Sequence, residues 1–190
     1  MDLKISTPAN FSFRRTVRSH GWYVLPPFEF DESTWTLGRV LDAGQTKPIS
    51  ITINSARGGI MIKTSRRVSK KAADKIVRDV RHMFRLDDDM AEFYEVVRNE
   101  PEFSWIVAEG AGRLLRSPTV FEDLVKMICT TNCSWALTEK MVHGLVNELG
   151  QESDDGRKSF PTAEAMAQKP EKFFRDRDRL FVLIHAEVSR

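Results

Sequence analysis

The sequence is poor in several things that would assign it to a narrow class. It has two cysteines in 190 residues, no glycine after Gly156, and no apolar run approaching the roughly 20 residues of a membrane span. Two thiols, Cys129 and Cys133, are too few for a disulfide framework, and they fit a reducing compartment. The opening MDLKISTPANFSFRR lacks the apolar core of a signal peptide, so a cytoplasmic protein is expected. His20, His82, His143 and His185 stand at no spacing that would join the cysteines as ligands, so no metal site is expected. GAGRLLRSP has too few glycines at set positions for a phosphate loop or a dinucleotide fingerprint, and no cofactor is expected.

What is present is an ordinary globular composition, 41% hydrophobic and 29% charged, long enough for one domain or two small ones. The net charge of +2 does not by itself indicate a nucleic-acid partner. Its distribution is uneven. Residues 63 to 85 carry nine Lys or Arg against Asp74 and Asp79, a local +7, whereas residues 86 to 109 carry three Asp and five Glu against Arg98, a local −7.

The period of the apolar residues divides the chain. Phe11 and Phe13 alternate with polar residues, Trp35 to Leu41 reads as a strand, and PISITIN and IMIKT flank SARGG as a hairpin. Residues 10 to 64 are therefore expected to form an antiparallel sheet with one wet face. Val68, Ala72, Ile76, Val80 and Phe84 then share one helical face, and this helix can cover the sheet. Its basic side is either a solvated surface or a face for an acidic partner. Asp87 to Asp89 precede a further helix, where negative charge is favoured; their spacing lacks the glycine and terminal glutamate of a calcium loop.

The most informative stretch is FEDLVKMICTTNCSWALTEKMVHGLVNELG, from Phe121 to Gly150. Thr119 and Glu122 have capping-box spacing after Pro118, and Phe121, Leu124, Val125 and Ile128 mark an expected buried face. Thr130 to Cys133 are poor helix formers, so a break is expected there. Thr138, Met141, Val142, Leu145 and Leu149 form a second apolar stripe, with Gly150 as a left-handed stop. Asn132 at the break is either a helix-ending asparagine or a binding residue; Trp135 is either core or a stacking residue.

From GRLLRSP to NELG, the sequence resembles the helix-hairpin-helix superfamily of DNA base-excision glycosylases, the 8-oxoguanine and 3-methyladenine glycosylase II type. The SHGW turn, FRLDDDMAEFYEVV and FPTAEAMAQKPEKFF agree in order, and the match runs over most of residues 10 to 176. The resemblance implies an α+β fold. Residues 1–85 would be a TBP-like antiparallel domain with a covering helix, residues 86–176 the first helices of an all-helical domain, and residues 177–190 a divergent tail.

It also implies a monomer that grips duplex DNA, rotates a damaged base out of the stack and cleaves its glycosidic bond, in some members with lyase activity. In these proteins the turn between the helices fills the gap in the duplex. Here that assigns DNA contact to Thr131, Asn132, Cys133, Ser134 and Trp135, and lesion-pocket backbone to His20 and Gly21. Cys133, Ser134 and Leu137 depart from the 8-oxoguanine motif, which puts preference for a lesion opposite cytosine in doubt.

The family's glycine hairpin and catalytic aspartate have no counterpart after Gly156. Asp176, Asp178 and Glu187 lie in a charged segment without the matching motif, so no catalytic residue is assigned. The 190 residues alone are expected to be inactive, as a truncated, frame-shifted or split form would be. The alternative is a noncatalytic helix-turn-helix DNA-binding or protein-interaction module.

Overall fold

The structure is a computed structural model that describes residues 1–178, with side chains described through Phe174. The apolar run Leu180 to Ile184 and the carboxylates Asp176, Asp178 and Glu187, all noted in the sequence, fall outside the described residues or side chains.

The architecture is α+β. Five antiparallel strands, β1 (Asp2–Ser6), β2 (Phe28–Asp31), β3 (Thr36–Leu41), β4 (Ile49–Ala56) and β5 (Gly59–Thr64), lie in the order β1-β5-β4-β3-β2. The hairpin turns at Arg57 and Gly58, and the glycine takes the left-handed φ of +71° that an L side chain resists. Register places Leu37 opposite Ile53, Leu41 opposite Ile49, and Ile53 opposite Ile62. These residues are fully buried beneath α2 (Lys70–Met83), whose Ala72, Ile76, Val80 and Met83 close the first core.

The sheet differs from expectation at its start. Residues 13 to 24 hold two short helical pieces instead of a strand: α1 (Phe13–Val17) and, after a turn, a 3₁₀ segment (Gly21–Val24). The alternation of Phe11 and Phe13 imitates a strand, but Ser12 accepts a hydrogen bond from the Arg15 amide, and Phe13, Thr16 and Val17 turn inward together. Phe13 stacks on Phe84 with centroids 5.4 Å apart. The vacated edge is filled by β1.

The second face of the sheet is largely wet, as expected: Asp2, Lys4, Glu29, Asp31 and Lys63 are exposed, and Thr52 and Asn54 are half-buried. Only at one end of it is a polar residue covered, Ser50 beneath residues 151–158, whereas the buried Arg39, opposite Ile51, lies on the apolar face. Ser50 donates to Asp155 at 2.7 Å, so this strand residue finds a polar protein partner instead of water.

The helical half comprises α3 (Ala91–Arg98), α4 (Ser104–Ala108), α5 (Val120–Cys129), α6 (Trp135–Leu149), α7 (Ala163–Ala167) and α8 (Glu171–Asp178). Asp89 accepts from the Ala91 amide at the start of α3, as the acidic run suggested. A second core gathers Leu25, Val125, Cys129, Met141, Val142, Leu145, Val146 and Phe160.

The expected inward face of α5 holds only in part: Val125 is buried and Phe121 half-buried in the second core. The expected buried residue Leu124 is 54% exposed, and Val120 and Met127 on the same side are 75% and 58% exposed, with Ile128 also at the surface. The inward face carries Glu122 and Lys126, 2% and 0% exposed. The capping box is half formed: Thr119 Oγ1 accepts from the Glu122 amide, but the Glu122 carboxylate turns into the core. Gly150 is extended, not left-handed; a side chain there would strike the carbonyl oxygens of Ser159 and Val146 at 2.2 and 2.4 Å. No helix among the described residues is long and apolar enough to cross a membrane.

Candidate nucleic-acid interface

The break between α5 and α6 is built by short side chains that cap backbone groups. Thr130 and Thr131 donate to the Met127 carbonyl at 2.7 and 3.2 Å, ending α5. Asn132 takes φ +50°, the left-handed conformation asparagine tolerates better than most residues. Ser134 caps α6 by accepting from the Leu137 amide at 3.3 Å. Beneath the turn, Thr138 Oγ1 donates to the Cys129 carbonyl at 2.8 Å and the Cys133 thiol approaches the same oxygen at 3.0 Å. The turn is therefore anchored from below, while Thr131, Asn132, Ser134 and Trp135 are exposed and Cys133 is half-buried.

Trp135 is not a core residue. It is 41% exposed, its indole N–H donates to Glu139 at 2.8 Å, and its ring lies across Gly21. A β-carbon at Gly21 would come within 2.4 Å of the indole. Two groups of residues singled out separately in the sequence, His20 with Gly21 and the turn with Trp135, thus meet across more than 100 residues of chain.

The contact is fastened by residues the sequence did not single out. Trp22 Nε1 donates to Asp123 Oδ1 at 2.7 Å, and the same oxygen accepts from the Ser117 amide at 2.9 Å. The Leu115 amide donates to Ser19 Oγ at 2.9 Å. His20 Nδ1 accepts from the Trp22 amide, and its ring packs on Trp22 with centroids 4.8 Å apart. Burial lowers the His20 pKa, which favours the neutral ring.

Behind this contact lies a buried ionic triad. Arg39 on β3 donates to one oxygen of Glu122, and Lys126 Nζ lies 2.8 Å from the other, held by charge and not by an aligned hydrogen bond. Phe28 lies under both cations, 4.2 Å from the Arg39 guanidinium and 5.0 Å from the Lys126 ammonium. Burial brings the Lys126 pKa down to about 8 against the opposing pull of Glu122. Burial alone would raise Glu122, but Arg39 and Lys126 overcome it and leave the carboxylate below its ordinary range. The sequence pattern points the other way: Glu122, Asp123 and Lys126 share one arc of an otherwise apolar helix, the arrangement of a solvent-facing side.

Burial also pushes the Cys129 thiol up to about 12, which makes it inert packing. Among the described residues, no group of three His, Cys, Asp or Glu side chains could hold a metal ion.

The fold, a sheet backed by α2 and followed by a helical layer, superposes on those of DNA glycosylases. The 3-methyladenine DNA glycosylase from Archaeoglobus fulgidus superposes with a TM-score of 0.72 at 15% identity, covering 98% of this chain and 66% of its own. The Clostridium acetobutylicum 8-oxoguanine glycosylase/lyase superposes in its apo form with a TM-score of 0.67 at 16% identity, covering 98% and 62%. In its complex with double-stranded DNA containing cytosine opposite 8-oxoG, the values are 0.65, 14%, 98% and 66%. The chain spans about two thirds of these proteins' length or less. No protein-family pattern and no curated protein sequence matches it.

Proposed function

We propose that this chain is a DNA-binding relative of the base-excision glycosylases, engaging a damaged site in duplex DNA through the Thr131 to Trp135 turn. The observation that carries this is the convergence of that turn with His20 and Gly21, held by Trp22 and Asp123. A flipped base leaves a gap and an unpaired partner, and an exposed asparagine can both donate to and accept from that base's edge. The half-exposed indole of Trp135 offers a stacking surface beside it.

Catalysis needs a carboxylate free to stabilise or activate at the sugar. The carboxylates next to the turn are otherwise engaged: Glu122 in the buried triad, Asp123 with Trp22 and Ser117, and Glu139 with Trp135. Residues 1–190 by themselves are therefore inactive on damaged duplexes in this reading.

The test is binding of the chain to a labelled duplex with an abasic-site analogue and to its undamaged counterpart. Preference for the abasic duplex is expected. Asn132→Gly, which keeps the left-handed backbone but removes the amide, is expected to lower that preference by about 1–2 kcal/mol. Equal affinity for both duplexes, unaffected by Asn132→Gly, would sink the reading; clear base release would overturn the inactivity. The second reading, a helix-turn-helix regulator, draws on exposed Lys140, His143 and Asn147, spaced along α6. Sequence preference on undamaged DNA would favour it.

A further inference from the structure

The geometry points to a second DNA contact, a phosphodiester-binding site formed by Arg14, Arg18 and Trp35, resting on the DNA-binding reading above. Trp35 has φ +52°, a costly conformation for a bulky side chain, and its surroundings hold it there. Asp31 accepts from the amides of Ser33 and Thr34 to fix the turn, and Asn54 donates to the Trp35 carbonyl at 3.4 Å. Phe30 braces the indole edge with centroids 5.4 Å apart.

Two guanidinium groups, Arg14 on α1 and Arg18 just past its end, lie over this fixed ring, 4.3 and 5.1 Å from its centroid. Both line a cavity of about 400 Å³ with Ser12, Arg15 and Glu109. This arrangement suits a phosphate ligand. A guanidinium held over an indole is restrained while N–H donors remain to meet phosphate oxygens, so binding costs little further rotamer freedom. The same arrangement covers the indole, which disfavours a nucleobase there.

The charge balance agrees. Arg15 is held by Glu109 at 2.5 Å and Arg18 by Glu32, both at the surface, but among the described residues Arg14 has no carboxylate partner. The exposed Arg18–Glu32 pair contributes little, so a phosphate can displace Glu32. Arg18 precedes His20 by two residues, so the two proposed DNA contacts share one short stretch of chain.

The experiment is fluorescence anisotropy of the full chain with the labelled abasic duplex across a salt series. Arg14→Ala is expected to weaken binding about three- to tenfold at low salt and to reduce the slope of log affinity against log salt by about one. Arg14→Lys, which keeps the charge but not the bidentate fork, should recover the slope but only part of the affinity. Asn132→Gly should weaken binding with the slope unchanged. If Arg14→Ala matches wild type in affinity and slope while Asn132→Gly still weakens binding, this site is wrong and the DNA reading stands. If wild type shows no salt-dependent binding to duplex DNA, both fall. Arg14 is exposed, and an unchanged melting temperature in the variants separates lost contact from lost folding.

Discussion

Lys126 is a positive charge with no exposed surface, and its burial makes stability depend on pH in a definite direction. The unfolded chain keeps the Lys126 proton up to about pH 10.5, the folded chain only to about 8. Between those values the unfolded state binds more protons, so stability rises with pH. Glu122 acts at the other end: its folded pKa is depressed, so its contribution is present above about pH 4.5 and is lost as pH falls further. Urea midpoints measured between about pH 7.5 and 9.5 should climb in wild type and lose that climb in Lys126→Met. Lys126→Met should be within about 1 kcal/mol of wild type or more stable near pH 7, because the Arg39–Glu122 pair survives and a costly burial is removed. Glu122→Ala leaves two buried cations unpaired and should cost about 3–5 kcal/mol by the same measurement. At this scale the sequence was ambiguous: Glu122 and Lys126 stand four residues apart, the spacing of a common solvent-exposed helix pair.

At the scale of the element, α5 shows why periodicity gives the helix but not its orientation. Its ends were legible, in Thr119 at one end and the TTNC break at the other, and both are used as caps. Its buried face was not, because the arc of Glu122, Asp123 and Lys126 reads as solvent-facing, and the side that turns inward is set by what Arg39 and Phe28 offer across the sheet. A paired substitution distinguishes the faces. Leu124→Ala should change the unfolding free energy by less than about 0.5 kcal/mol, since the side chain is half in water. Leu145→Ala on α6, buried in the second core, should cost about 2–5 kcal/mol in the same denaturation experiment. The stretch 13 to 24 shows the converse error. Two phenylalanines in alternation were consistent with a strand, but Ser12 and the inward set Phe13, Thr16 and Val17 make a single helical turn with a buried side.

On the scale of the whole molecule, two cores are joined through a narrow seam. Trp22 packs against both, and its indole N–H holds Asp123 on α5. Arg39 and Glu122 close the same seam from the sheet. Wild type should therefore unfold in one transition whether followed by tryptophan fluorescence or by far-ultraviolet circular dichroism. Trp22→Ala should separate the two probes, with the helical half melting first because it loses a large contact and leaves Asp123 short of a donor. Coincident transitions in that variant would show that the seam does not depend on Trp22.

The sequence alone determined the hairpin from Pro48 to Thr64, the covering helix, the break at Thr130 to Ser134 and the α+β class. Each is written in local terms: alternation, helical period, capping residues and turn formers act within a few positions of one another. Tertiary structure alone decided that Arg39 is buried on the apolar face of the sheet, that α5 turns its charges inward, and that Trp135 lies on Gly21. Those outcomes depend on what two distant segments offer each other, a buried cation for a carboxylate or an absent side chain for an indole. Nothing in the period of either segment encodes its partner.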